Sequence, residues 1–325
     1  MLTVKETSFF PPQDCAVCLG NFDGLHIGHR ELIKRGVEIA KREGLKCAVL
    51  SFEVHPAVYL SSKSPELLIS FEEKERILSS MGVDYFVLSD FSSIRDMSCE
   101  DYVDKILIKR LSAAFVICGF NYSFGKRASG DAALLRELLK SKGVKTEIVD
   151  EVRLSGQRVS STAIRELLKN GDCELAARLL GGSFCIDSPV TAGKRLGRTL
   201  GFPTANQRLD PVRLKPRKGV YASTVSYNGR VYAAISNLGE RPTVEDNGQY
   251  NCESFILGFN GELYGCKIRT ELLKFIREEK KFSSTEELRE QIEKDLREVR
   301  EYFEDKDIGD ITFNSDHCFP HGLCR

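Results

Sequence analysis

Two spacings of hydrophobic residues divide this chain. In its first half, short apolar runs at residues 15–19, 47–52, 85–88, 115–118 and 147–149 read as buried strands. Amphipathic stretches lie between them: Leu32, Ile33, Val37 and Ala40 recur at helical spacing, as do Tyr102, Val103, Ile106, Leu107 and Leu111. Strands that alternate with helices predict an α/β fold with a doubly wound parallel sheet, whose ligands sit where strand ends turn into helices. A further helix is predicted over 163–170, opened by the hydroxyls of residues 160–162. Gly171-Asp172 ends it and starts another, which stops at Gly181-Gly182.

After that glycine pair the period changes to two. Residues 220–227 and 231–236 flank Asn228-Gly229, and residues 253–259 and 263–270 flank Asn260-Gly261. An Asn-Gly between alternating runs signals a hairpin, and two of them predict a small antiparallel β-barrel. A charged helix over 284–303 presents Leu288, Ile292 and Leu296 on one face. The expected division is 1–183 for the first domain, 184–304 for the second and 305–325 for an irregular C-terminal tail.

A length of 325 residues suits two cores, and 42% hydrophobic residues is ordinary for a globular chain. The 47 basic and 47 acidic residues balance, so a chain-wide footprint for nucleic acid is absent. No apolar run approaches the roughly 18 residues of a membrane span. The first ten residues hold one lysine and no apolar core of a secretory signal, so a cytoplasmic location is expected. Among 11 cysteines, Cys15 and Cys18 form a CxxC. On a strand these two positions point to opposite faces, so they read as small buried residues rather than a redox or metal pair. Cys318 and Cys324 with His317 and His321 are a weak metal candidate in a tail better read as irregular.

The densest chemistry is the run from Gly20 to His29, GNFDGLHIGH, between the first strand and the first helix. Gly20 and Gly24 allow a tight turn close to a ligand, and the helix start offers free N–H groups and the positive end of its dipole. His26 and His29 can donate to phosphate oxygens, and Gly28 between them leaves room for a nucleotide. A second run, residues 158–165 (RVSSTAIR), caps its helix with hydroxyls and brings Arg158 and Arg165, which can offset charge on a triphosphate.

At these residues the chain resembles the HxGH nucleotidyltransferases, and the longer loop is similar to the FAD synthetase part of the prokaryotic bifunctional riboflavin kinase/FAD synthetases. Residues 52–56 resemble that family's FxPHP strand end, with Val54 in place of a proline. Residues 119–125 with Gly130-Asp131 resemble its flavin-side loop, while 126–129 depart from the pattern. The resemblance implies a Rossmann-like domain that binds ATP through Gly20, Asn21, Phe22, Asp23, Gly24, Gly28, Ser160, Ser161 and Thr162. It implies FMN contacts at His55 and Asn121, and catalytic roles for His26, His29, Arg158 and Arg165 in moving AMP from ATP to FMN.

In the second half, residues 193–206 (GKRLGRTLGFPTAN) combine glycines with basic residues, a set that can wrap phosphates. Thr204 and Asn206 offer hard oxygens suited to Mg²⁺. The order of residues is not that of a Walker A loop. Glu253 stands in a strand of small or apolar residues, where a carboxylate is conspicuous, although a cross-strand ion pair or a solvent-facing side chain explains it equally well. The stretch resembles the riboflavin kinase signature, in which PTAN binds Mg²⁺–ATP. That resemblance implies a six-stranded barrel with a C-terminal helix, ATP contacts at Gly193, Lys194, Gly197, Gly201, Pro203, Thr204 and Asn206, a metal held by Thr204 and Asn206, and Glu253 as the base that takes the riboflavin 5′-hydroxyl proton. It also implies riboflavin, FMN, FAD and ATP as ligands, with Mg²⁺ accompanying ATP and no permanently bound cofactor. A homo-oligomer is left open. The alternatives are a protein with one live activity, another nucleotidyltransferase, and a flavin-binding regulator without turnover.

Overall fold

A computed structural model describes residues 1–60, 65–192, 202–241, 249–304 and 311–312. It divides into two compact units, Met1–Ala163 and Ile164–Arg325. In the first, strands β1 (Leu2–Lys5), β2 (Cys15–Leu19), β3 (Lys46–Phe52), β4 (Tyr85–Ser89), β5 (Ala113–Gly119) and β6 (Lys145–Val149) form one sheet in the order β1-β4-β3-β2-β5-β6. All five pairings are parallel. Every residue of β2 is buried, which is why it reads as a continuous apolar run.

The two faces of the sheet carry separate cores. Cys15, Val17 and Leu19 pack with Tyr102, Val103, Ile106 and Leu107 of α3 (Tyr102–Arg110) and with Leu135 and Leu139 of α4 (Ala132–Ser141). Ala16 and Cys18 pack with Leu32, Ile33 and Val37 of α1 (Ile27–Glu43) and with Ile77 and Leu78 of α2 (Phe71–Ser80). Cys15 and Cys18 are therefore unbonded and lie in opposite layers. Helix α1 sits close on the sheet, because a Cβ at Gly36 would run into the Cys18 sulfur. Helix α3 departs from the expected α-form. It is wound as a π-helix, and the Leu111 N–H reaches back to the Ile106 carbonyl at 3.0 Å. Steps of four and five residues along 102, 106 and 111 keep one face buried in that wider turn.

Helix α5 (Ser161–Asn170) crosses the division, and α6 (Cys173–Leu180) follows, capped by the Asp172 side chain and ended by left-handed Gly181. The second unit is an antiparallel barrel of β7 (Phe184–Thr191), β8 (Thr204–Arg208), β9 (Gly219–Tyr227), β10 (Arg230–Arg241), β11 (Gln249–Ile256) and β12 (Lys267–Arg277). The order is β9-β12-β7-β8-β11-β10, closed by pairing of β10 with β9. Asn228 and Gly229, at φ 47° and 75°, make the expected hairpin turn.

The second expected hairpin is not formed. β11 pairs with β8 and β10, and β12 with β7 and β9, so Asn260-Gly261 lies in a connection between strands that are not partners. Barrel closure assigned those edges elsewhere. The final helix, α7 (Thr285–Glu304), packs Leu296, Val299 and Phe303 on Val220, Ala222, Ala233 and Ile235, and Arg277 is tied to Asp295 by paired hydrogen bonds. The alternate positions Ser223, Ser236 and Ser254 face inward and join in a buried hydroxyl chain at 2.6 and 2.7 Å. Ile311–Thr312 pairs in parallel with Val231–Tyr232 on β10. The architecture is the expected doubly wound parallel sheet followed by a six-stranded barrel with a C-terminal helix.

Candidate active sites

In the first unit, β2 ends at Leu19 and the chain turns into α1 through residues 20–26. Phe22 and Leu25 take left-handed backbone, φ 51° and 42°, and both side chains are fully buried. Such conformations are costly outside glycine, so burial of the two side chains is what holds the loop in shape. The Phe22 ring closes over Gly20, where a Cβ would come within 2.9 Å of it.

His26 caps α1: its Nδ1 accepts from the His29 N–H at 3.2 Å. With Nδ1 an acceptor, the neutral ring carries its proton on Nε2. The His26 and His29 rings stack at 3.5 Å and 14°, and Phe22 meets His29 edge-on at 5.3 Å. A Cβ at Gly28 would lie 3.3 Å from the His26 ring. Burial lowers the His26 pKa to about 4. Burial, His26 and the Lys74 charge together hold His29 well below the ordinary imidazole value. His29 Nδ1 is itself buried without a hydrogen-bond partner among the described residues. Both rings are therefore neutral donors at pH 7, not cations.

The loop is tied to the second motif. The Ser161 hydroxyl donates to the Asp23 carbonyl at 2.9 Å, and the buried Asp23 carboxylate accepts from the Leu68 N–H at 3.0 Å. Ser160 caps α5 by accepting from the Ala163 N–H, with exposed Thr162 beside it. Arg158 pairs with Glu151 at 3.1 Å and lies over the Phe120 ring at 5.1 Å. Arg165 is half-buried on α5. Asn21 is exposed, and its carbonyl accepts from the Ser51 hydroxyl at 3.0 Å and the Lys74 ammonium at 3.2 Å.

His55 and Asn121 follow β3 and β5, the two neighbours of β2, at the same carboxyl edge of the sheet. His55 Nδ1 accepts from the Ala57 N–H at 3.2 Å, and Val54 beside it lines a cleft of about 330 Å³ with Lys5, Glu53, Tyr59 and Asp90. Asn121 is exposed, its Oδ1 folded back toward Gly119. Lys74 had no motif to announce it: it lies in an ordinary charged helix and reaches the loop only through the fold.

In the second unit, Asn206 on β8 stands directly across from Glu253 on β11, and Glu253 directly across from Asn237 on β10. Directly opposed residues share a face. Phe255, two residues on from Glu253, belongs to the cluster under α7, so this row lies on the outer face of the barrel, where Glu253 is half-buried. The Asn206 amide nitrogen donates to the Thr204 carbonyl at 3.3 Å. Pro203, Thr204 and Asn206 line a cavity of about 100 Å³ with Val190, Leu263 and Tyr264. Asn237 extends the row by donating to Glu279 Oε1 at 3.1 Å. Gly239 permits this, because a Cβ there would strike that carboxylate. Neither Asn237 nor Glu279 has a role legible in the sequence: strand register brings Asn237 across from Glu253, and Glu279 reaches Asn237 only in the fold. Gly193, Lys194, Gly197 and Gly201 lie outside the described residues, as do the cysteines and histidines of the tail.

A family model for FAD synthetase matches residues 10–163, and one for riboflavin kinase matches residues 180–303. The bifunctional riboflavin kinase/FMN adenylyltransferase of Listeria monocytogenes is 35% identical over 290 residues, covering 88% of this chain and 92% of its own. That of Escherichia coli K12 is 36% identical over 303 residues, covering 92% and 96%. A solved structure of a macrolide-efflux protein from Streptococcus pneumoniae is 30% identical with a TM-score of 0.85, covering 92% of this chain and 99% of that one. No described helix of this chain is long and apolar enough to cross a membrane.

Proposed function

The chain belongs to the family of bifunctional riboflavin kinase/FMN adenylyltransferases, and from that premise we propose how its residues divide the two reactions. The protein phosphorylates riboflavin to FMN with ATP, and transfers AMP from ATP to FMN to give FAD and pyrophosphate. We assign the transfer to residues 1–183 and the kinase to 184–304, in a protein working in the cytoplasm.

For AMP transfer, FMN is already an anionic nucleophile at neutral pH, so no general base is needed. The task is to align it with the α-phosphate and to stabilise charge. His26 Nε2–H and the His29 ring donate to phosphate oxygens at the start of α1, where the helix dipole adds to them. Backbone from Gly20 to Gly28 takes the nucleotide, with Ser160, Ser161 and Thr162 on the opposite side. Arg158 exchanges Glu151 for phosphate, and Arg165 adds a second guanidinium. His55 and Asn121 hold FMN at the adjoining strand ends.

For the kinase, the attacking group is a neutral alcohol and must lose a proton. Glu253 accepts it, with Asn206 and Asn237 flanking it in register on the neighbouring strands. Thr204 and Asn206 suit a hard divalent cation: their side chains supply oxygen, and the Asn206 amide nitrogen is turned to the Thr204 carbonyl. When bound there, Mg²⁺ supplies charge neutralisation on the ATP phosphates. Pro203 shapes the cavity, and Gly193, Lys194, Gly197 and Gly201 complete the ATP contacts.

The observation that carries the assignment is the register that sets Asn206 and Asn237 across from Glu253. Incubation with riboflavin, Mg²⁺ and ATP tests the whole reading. FAD accumulates if both sites work as assigned; FMN as the sole product reduces the protein to a kinase, and tight flavin binding without turnover makes it a regulator.

A further inference from the structure

The site assigned to AMP transfer presents two imidazoles that are neutral at pH 7. They supply dipoles, and the helix start supplies about half a positive charge. A triphosphate losing pyrophosphate needs more than this, because negative charge grows on the leaving group. Arg30 Nε is held by the Leu25 carbonyl at 2.8 Å, and Arg158, which the proposed transfer also uses, must first leave Glu151. Lys74 is placed differently. It rises from α2, half-buried, and sets its ammonium 3.2 Å from the Asn21 carbonyl inside the GNFDGLHIGH loop. Burial holds the Lys74 pKa below the ordinary lysine value, the Asp23 carboxylate opposes that shift, and His29 feels the lysine charge.

We propose that the Lys74 ammonium is a substrate-contacting group of AMP transfer, moving from the Asn21 carbonyl onto the ATP phosphate chain and the departing pyrophosphate. The geometry allows that move at small cost. The Asn21 carbonyl also accepts from the Ser51 hydroxyl at 3.0 Å, so it keeps a partner when Lys74 leaves. The lysine stem is flexible and its head is a point charge, which suits a group that follows phosphate from substrate to product. Asn21, His29 and Asp23 then act with Lys74 as one cluster at the loop, with the histidines as fixed neutral donors and the lysine as the mobile charge. This inference rests on AMP transfer occurring at this site.

The test compares the intact protein with Lys74→Met and Lys74→Arg. Lys74→Met keeps the length and apolar body of the side chain and removes the charge. It should lower FAD formation from FMN on the order of 100-fold and weaken inhibition by added pyrophosphate, while FMN formation from riboflavin and the melting temperature stay unchanged. Lys74→Arg should recover most of the lost rate. Retention of full FAD formation by Lys74→Met overturns the proposal. So does equal loss in Met and Arg variants together with a lowered melting temperature, because that pattern makes Lys74 a structural residue. An unsubstituted protein that makes no FAD from FMN refutes the assignment of AMP transfer itself, a result separate from either of these.

Discussion

The histidine pair of the first unit, His26 buried and His29 half-buried, is stacked and neutral at a helix N-terminus. The row of the second unit lies half-open on the outside of a barrel and is built from a hydroxyl, two amides and a carboxylate. On the proposed assignment both handle ATP phosphates, so the contrast follows from the nucleophile. FMN arrives as an anion, and a basic side chain beside it has nothing to remove. Riboflavin arrives as an alcohol, and a carboxylate within reach is required. In this proposal the first site uses its polar groups for orientation and the second for proton removal.

Substitutions at the two centres should break this contrast most visibly. Glu253→Gln removes the base and keeps the shape; FMN formation should fall by about 10²- to 10⁴-fold, while added FMN is still converted to FAD, measured by separate chromatographic assays of the two products. His29→Ala should give the mirror image, with FAD formation down about 10²- to 10³-fold and FMN formation intact. If either variant stays folded and loses both activities, the division is wrong.

A finer test sits at Gly239. A methyl group there displaces the Glu279 carboxylate from Asn237. The carboxylate is the end of a flexible side chain, so stability should hardly change. The loss of one charged hydrogen bond beside Glu253 should slow FMN formation roughly tenfold and leave FAD formation alone.

The smallest expected effect is on stability against acid. Burial holds the folded His26 pKa at about 4, below its ordinary value of 6.5. Between these values the unfolded chain binds the proton and the folded one does not, so stability falls as pH drops from 6.5 towards 4 and is fully present above 6.5. The urea midpoint of the intact chain should therefore decline across this window, and His26→Gln should flatten part of the decline.

Much of this was legible from spacing alone. The continuous run of β2, the alternation around Asn228-Gly229 and the glycine-histidine loop each have a local cause, and local causes survive in sequence. The Asn260-Gly261 hairpin failed because a turn signal is local while strand partners in a closed barrel are set by all six strands together. The winding of α3 escaped for a related reason: a π-turn and an α-turn bury nearly the same residues over two turns. At the sites, His26, His29, Thr204, Asn206 and Glu253 stood in runs that announce themselves. Lys74, Asn237 and Glu279 reach their places through packing and register, and no window of neighbouring residues contains that information. The pairing of Arg158 with Glu151 was equally hidden, since only the folded chain turns one toward the other.

The close seat of α1 on the sheet at Gly36 has a mechanical side. Gly36 lies nine residues beyond the first residue of the helix, about 14 Å along its axis. It acts as a fulcrum, with the Cys18 sulfur as the bearing surface. A side chain added there would tilt the far end of the lever, and a tilt of about 10° would carry His26 about 2.6 Å and His29 about 1.8 Å, when misplacement by about 1 Å already costs on the order of 10²-fold in rate. Positions 18 and 36 should thus change only as a pair, one shrinking as the other grows, and on the proposed assignment the alignment of AMP transfer depends on a van der Waals contact about two to three helical turns from the histidines.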